Sequence, residues 1–197
     1  MYLMRIGQPG AERPVVRIDE NHYIDISDEI RDFDEAFFGG DGIEHLRTLI
    51  SQRADSLKPF TGERIGAPIA RPHQILCIGL NYSDHAAEAR QPVPEEPILF
   101  TKAPNTLVGP NDNVRIPRGS TKLDWEVELG IVIGKRTSYL DSPAQAKEAI
   151  AGYLVVNDIS ERAFQMERSG QWSKGKSAET FCPAGPWLVT PEEISNP

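Results

Sequence analysis

No stretch of the chain stays apolar for the roughly 20 residues that a membrane-crossing helix needs. Its first residues, MYLMRIGQPG, lack an apolar run ending at a small-residue cleavage site. A cytoplasmic protein is the resulting expectation. Cysteine is nearly absent: Cys77 and Cys182 stand far apart, with neither a CxxC spacing nor a His-rich neighbourhood. A disulfide framework and a zinc site are therefore not signalled, and both cysteines read as small buried hydrophobes. Basic residues are the minority, 21 against 29 acidic, for a net charge of -8. That balance disfavours phosphate backbones and anionic lipid surfaces, so neither nucleic acid nor membrane is an expected partner. Internal repeats and low-complexity segments are also missing.

What is present suits an ordinary soluble globular protein. At 197 residues and 39% hydrophobic content the chain can bury a real core, as one domain or one domain with a small appendage. The first 70 residues alternate short apolar runs (YLMRIG, PVVRI, YIDI) with polar turns, then pass through FDEAFFGGDGIEHLRTLISQRA, which suits a short helix after a Gly-Gly loop. A Pro-punctuated stretch from Ile65 to Pro72 reads as a linker, and the boundary falls near Ala70, giving a small N-terminal domain (1–70) and a second domain (71–197). From Gln74 the texture is strand-rich: ILCIGL, ILF, TLVG, VRI, WEVELGIVIG and YLVVND, each bounded by Gly, Pro, Asn or Asp. Ser142-Pro143-Ala144-Gln145 offers an N-cap, a first-position proline and a third-position glutamine for a helix stopping at Gly152. A further helix is expected from Ile159 to about Arg168.

Four segments can carry chemistry. In DWEVELG, Trp125, Val127 and Leu129 alternate with Asp124, Glu126 and Glu128, the period-two pattern of a half-buried strand, so both glutamates point the same way. Carboxylates two apart on one face repel, and a shared divalent cation would offset that repulsion. On the pattern alone a solvated strand face is the more frequent arrangement. Asp158 ends the apolar run GYLVVND, where it suits either a functional carboxylate or, with Glu161, a helix capping box. In GLNYSDHAAEA, His85 and Glu88 fall three apart on one helical face, as a general base with its orienting carboxylate or as an ordinary surface pair. In QWSKGKSAETFCPAGPWLVT, Lys174 or Lys176 suits an enolate or carboxylate, or simply solvent.

Taken in order, GLNYSDHAAEA, PILFTKA, DWEVELGIVIGK, GYLVVNDISERAFQ and WSKGKSAETFCPAGPWLVT resemble the catalytic domain of the fumarylacetoacetate hydrolase family, over about residues 72 to 190. The resemblance implies an α+β, strand-rich fold, a mixed β-sheet roll preceded by a small N-terminal α+β portion. It implies Glu126, Glu128 and Asp158 as ligands of Mg²⁺, with Mn²⁺ or Ca²⁺ as substitutes. It further implies Lys176 as the lysine that steadies negative charge on the substrate, and His85 with Glu88 as the water-activating pair. Arg162, Gln165, Tyr82 and Thr190 follow as substrate-contacting positions. The implied activity is metal-dependent cleavage of the C–C bond of a 2,4-diketo acid, an acylpyruvate or a 2,4-diketo-3-deoxy sugar acid such as the fuconate or rhamnonate derivatives, by a homodimer. Oxaloacetate decarboxylation, and 2-keto acid hydration or isomerisation, are alternatives that share the metal site. A metal-stabilised binding protein without turnover is the alternative of another class. Family members continue past the Pro-x-Gly-Pro strand into further strands and a Thr-Gly-Thr-Pro loop, and that part of the fold is expected to be absent from the present sequence, which ends at Pro197.

Overall fold

A computed structural model describes residues 1–194. The first 70 residues supply β1 (Tyr2–Ile6), β2 (Arg13–Arg17), β3 (His22–Asp25), α1 (Glu35–Gly39), α2 (Gly42–Gln52) and β4 (Leu57–Pro59). The remainder supplies β5 (Ile75–Gly79), α3 (Ser83–Glu88), β6 (Ile98–Lys102), β7 (Leu107–Val108), β8 (Leu123–Asp124), β9 (Val127–Ile133), α4 (Pro143–Glu148), β10 (Ile150–Asn157), β11 (Ser160–Glu161), α5 (Arg162–Met166), α6 (Ser173–Lys176), β12 (Cys182–Pro183) and β13 (Leu188–Val189). The strand-rich α+β character expected from the sequence is what the chain adopts.

Seven strands form one antiparallel sheet in the order β4-β3-β2-β1-β13-β10-β9. This sheet runs across the linker near Ala70, because β1 pairs with β13 through Tyr2↔Val189 and Leu3↔Leu188. β5 and β6 form a separate antiparallel hairpin, β8 pairs with β11, and β7 pairs in parallel with β12. The core lies under the first half of the sheet. Leu3, Val16, Ile24 and Leu188 pack there against Ile26, Phe33 and the helical Leu46 and Leu49, which fall three apart on one face of α2.

Local chemistry explains where the helices begin better than where they end. Asp34 caps α1 through Phe37 N (3.1 Å), and Ser142 caps α4 through Gln145 N (3.4 Å). The helix expected after the Gly-Gly loop is α2, and the short α1 precedes that loop. The helix opened by Ser142-Pro143 stops at Glu148 instead of running to Gly152, because Ile150 already pairs with Ile133 as the start of β10. The helix expected from Ile159 is delayed to Arg162, since Ser160 and Glu161 pair with Asp124 and Leu123 instead.

The burial of β9 also inverts the amphipathic expectation. Val127, Leu129, Ile131 and Ile133 face outward, Val127 67% exposed, whereas Glu128 and Val132 are half-buried. β9 is the edge of the seven-stranded sheet, and only the face bearing Glu128 and Val132 is packed among the described residues.

Candidate active site

Strand pairing brings the acidic residues together. In the β9·β10 ladder Val156 stands opposite Glu128 and Asn157 opposite Val127. Asp158 N then donates to Glu126 O (2.9 Å), which extends the pairing one residue past both strands. Directly paired residues share a sheet face, as do residues two apart on one strand. Asp158 therefore joins Glu126 and Glu128. Asp158 does not cap the following helix, because Glu161 does: its carboxylate accepts from Phe164 N (2.6 Å), and from Thr121 N (3.0 Å) and Lys122 N (2.6 Å) in the loop leading to β8. The Asp158 side chain is thereby free for other partners.

Lys176 provides one. Its ammonium donates to Glu126 Oε2 (2.7 Å) and Asp158 Oδ2 (2.8 Å), and the residue is 2% exposed. Gly175 makes this reach possible. A β-carbon there would stand 2.4 Å from the carbonyl oxygen of Glu161 and 2.7 Å from Gln165 Cβ, so only glycine lets α6 press against β11 and α5. The neighbouring Lys174 turns outward and donates to Arg168 O (3.1 Å), which separates the two lysines of the motif.

A second buried lysine, to which sequence reasoning assigned no role, lies behind the first. Lys102 ends β6 at 1% exposure and donates to Ile159 O (3.1 Å) and Lys176 O (2.6 Å). Its nitrogen stands 2.6 Å from Asp158 Oδ1 as an ion pair, outside the direction of a hydrogen bond, so that buried oxygen accepts none. The only signal in the sequence was a lysine closing the apolar strand ILFTK.

On the open side, Arg162 ion-pairs with Glu126 Oε1 and with Asp124 Oδ2 (2.9 Å), and its guanidinium also donates to the buried Gln165 Oε1 (3.1 Å). Tyr82, half-exposed, accepts from Leu129 N (3.3 Å). Burial raises the Glu128 carboxyl above its ordinary range, and the Glu126 and Asp158 carboxylates add to the shift, against the opposing pull of Lys176 and a bond to Tyr82.

Two expected positions stand apart. His85 and Glu88 lie on α3, exposed, with no hydrogen bond joining them to each other or to the carboxylates among the described residues. Thr190 is fully buried, but its hydroxyl accepts from the Met1 amine (2.6 Å) and donates to Glu192 Oε1 (2.6 Å), which commits it to tethering the chain start. The two cysteine thiols are held in their neutral form. Burial pushes the Cys77 thiol up to about 12 and that of Cys182 up to about 11.

The fumarylacetoacetate (FAA) hydrolase C-terminal family model matches residues 74–197. The chain belongs to the fumarylacetoacetate hydrolase family. A Burkholderia multivorans hydrolase whose name gives no substrate is 47% identical over 198 residues, taking in all of this chain and 69% of that relative. Among solved members of the family, the fumarylacetoacetate hydrolase of Exiguobacterium antarcticum superposes with a TM-score of 0.76 at 32% identity, over 100% of this chain and 69% of that one. The maleylpyruvate hydrolase of Sphingobium sp. SYK-6, solved with manganese(II) and pyruvate, gives 0.79 at 25% identity, over 100% of this chain and 70% of that one. No helix among the described residues is long and apolar enough to cross a membrane.

For the divalent cation that the family implies, the donor chemistry of this chain fits. Glu126, Glu128 and Asp158 are hard oxygen donors on one face, and Asp158 Oδ1 is buried without a hydrogen bond. Asp124, Glu126 and Asp158 pair with the three cations Lys102, Lys176 and Arg162, and Glu128 stands beside them without an ion pair among the described residues. As the side chains stand, Lys176 bridges Glu126 and Asp158, and no three His, Cys, Asp or Glu groups among the described residues are set to hold an ion. A cation would compete with Lys176 for the same two oxygens.

Proposed function

We propose that this chain belongs to a divalent-metal-dependent hydrolase that cleaves the C–C bond of a 2,4-diketo acid to pyruvate and a carboxylic acid. The observation that carries the reading is the buried Lys176 ammonium between Glu126 and Asp158, with Arg162 and Gln165 beside it. Glu126, Glu128 and Asp158 would hold the cation, which supplies Lewis acidity toward the 2-keto acid when bound.

The remaining chemistry belongs to the chain. The Arg162 guanidinium takes the substrate carboxylate and, with Gln165, fixes its orientation. The His85 imidazole, oriented by Glu88, accepts a proton from the attacking water as its oxygen bonds to C4 of the substrate. The C3–C4 electron pair then leaves on C3 as the enolate of pyruvate, and Lys176 Nζ steadies that charge before C3 is protonated. Closure of α3 over the carboxylates is the movement this step needs, since His85 is exposed in the present arrangement. The relatives named above support the reading at the level of reaction class, one through its bound pyruvate and manganese. An acylpyruvate and a 2,4-diketo-3-deoxy sugar acid both satisfy the chemistry.

The separation of His85 and Glu88 from the carboxylates favours one second reading, decarboxylation of oxaloacetate. That reaction needs an enolate-stabilising lysine and no water-activating base. Pyruvate release from a panel of 2,4-diketo acids and from oxaloacetate, measured with Mg²⁺, decides between them. Faster release from a diketo acid supports the hydrolase, and release from oxaloacetate alone supports the decarboxylase.

A further inference from the structure

Lys102 is buried beside the carboxylate cluster, and the chemistry above does not use it. Its three polar neighbours all lie inside the protein: Ile159 O at 3.1 Å, Lys176 O at 2.6 Å and Asp158 Oδ1 at 2.6 Å. Two of its protons go to the carbonyls and its charge is met by the Asp158 carboxylate, and at 1% exposure the ammonium presents no surface to a substrate. The same strand end is stitched to α6 a second time, because Ala103 N donates to Ser177 Oγ (3.1 Å) and Ser177 Oγ donates to Thr101 O (3.4 Å). Asp158 directly follows β10 and Lys176 closes α6, and β6 makes no ladder with β10. Lys102 is the side chain that ties these three elements at one point.

We propose that Lys102 is a positioning residue, a strut whose ammonium fixes the Asp158 carboxylate and the backbone carrying Lys176 at one mutual spacing. This rests on the proposed metal-dependent function for its catalytic consequence, though not for the geometry. Charge alone gives the opposite expectation to positioning, which makes the role testable. Deleting a positive charge beside three carboxylates would tighten binding of a cation, whereas loosening Asp158 weakens it. Groups that orient a metal-binding carboxylate typically contribute about ten- to a hundredfold in affinity or activity.

The experiment uses the full natural chain with Lys102→Met, Lys102→Arg and, as a milder cut of the same stitch, Ser177→Ala. Mn²⁺ affinity by calorimetry is expected to fall about tenfold in Lys102→Met and to stay low in Lys102→Arg, which keeps the charge but moves the donors. The value of kcat for pyruvate release is expected to fall further than KM changes. Tighter Mn²⁺ binding in Lys102→Met, or full rescue by arginine, would overturn the proposal in favour of simple charge balance. Amide hydrogen exchange on the metal-free proteins gives an answer independent of metal and turnover. Deprotection confined to residues 158–161 and 173–177 supports the strut; unchanged exchange in every variant, or uniform loss of protection across the chain, overturns it. Should Lys102→Met fail to fold, Ser177→Ala decides through the same local pattern. Should the parent bind no Mn²⁺, the metal-dependent function falls and exchange alone decides the strut.

Discussion

Lys176 Nζ lies 2.8 Å from Asp158 Oδ2, with both side chains almost wholly shielded from water, at 3% and 6% exposure. Removing one partner of such a pair leaves a buried charge without compensation, which typically costs about 3–5 kcal/mol. Lys102 remains near Asp158 to soften that loss. Lys176→Met is expected to destabilise the metal-free protein by about 2–4 kcal/mol in denaturant unfolding. Because the methionine frees Glu126 Oε2 and Asp158 Oδ2 for a cation, Mn²⁺ should raise the Tm of this variant more than that of the parent. Its turnover should fall by about two to three orders of magnitude, the usual loss when a charge-stabilising donor is removed.

Gly175→Ala tests how α6 is seated. The added methyl meets the Glu161 carbonyl oxygen at 2.4 Å, and backbone cannot step aside as a flexible side chain would. Overpacking of this kind costs about 1–3 kcal/mol. The displaced helix should also withdraw Lys176, so kcat is expected to drop together with stability. Thermal unfolding and pyruvate release measured side by side check both.

Glu161→Gln keeps the shape and removes the charge of a buried carboxylate that accepts from three backbone N–H groups. Hydrogen bonds to a charged acceptor contribute about 1.5–3 kcal/mol each in favourable settings, and an amide retains one acceptor oxygen. A loss of about 2 kcal/mol in chemical denaturation is expected. Weaker substrate binding, read as a raised KM, should accompany it, because α5 carries Arg162 and Gln165.

Acid stability has a source far from the site. Burial by itself pushes Asp25 up, but hydrogen bonds from the Ser27 side chain and backbone and from Lys58 outweigh it and hold the carboxyl at about 2, below its ordinary 3.8. A depressed folded-state value means that the stabilisation is complete above about pH 4 and is lost as the pH falls toward about 2. Discounted for partial exposure, the loss is about 1–2 kcal/mol. Urea midpoints measured across that window should fall in the parent, and Asp25→Asn should flatten that part of the profile.

His85→Ala and Glu126→Ala separate the two readings of the reaction. Hydrolysis of a diketo acid should fall by about two to four orders of magnitude in His85→Ala, the span typical of a lost general base. Oxaloacetate decarboxylation should survive it. Glu126→Ala should abolish both. Intact diketo acid hydrolysis in His85→Ala would remove the imidazole from the mechanism.

Much of this carboxylate cluster was legible before the fold because its members sit at or beside strand ends that the hydrophobic pattern marks. Glu126, Glu128 and Asp158 close on one another through the β9·β10 ladder, and GYLVVND and WEVELG carried that information as two adjacent apolar runs. The side of β9 that is buried was not legible, because periodicity gives two faces without saying which one the rest of the chain covers. The Asp158 cap was a fair local reading that Glu161 displaced through a loop 40 residues away, a contact no local pattern carries. Lys102 stayed hidden for the same reason: a lysine at the end of a strand is ordinarily solvated, and the Asp158 carboxylate with the carbonyls of Ile159 and Lys176 makes its burial tolerable. Thr190 was expected from the family resemblance alone, and in this structure its hydroxyl bonds the Met1 amine and Glu192.

The most direct test of the central claim is pyruvate release from a 2,4-diketo acid by EDTA-treated full-length protein, titrated with Mn²⁺ and assayed for the matching carboxylic acid. The account predicts no release without the ion, saturable recovery with it, and the two products in equal amounts. Undiminished cleavage in EDTA, or Mn²⁺ binding with no product from any diketo acid, would contradict it.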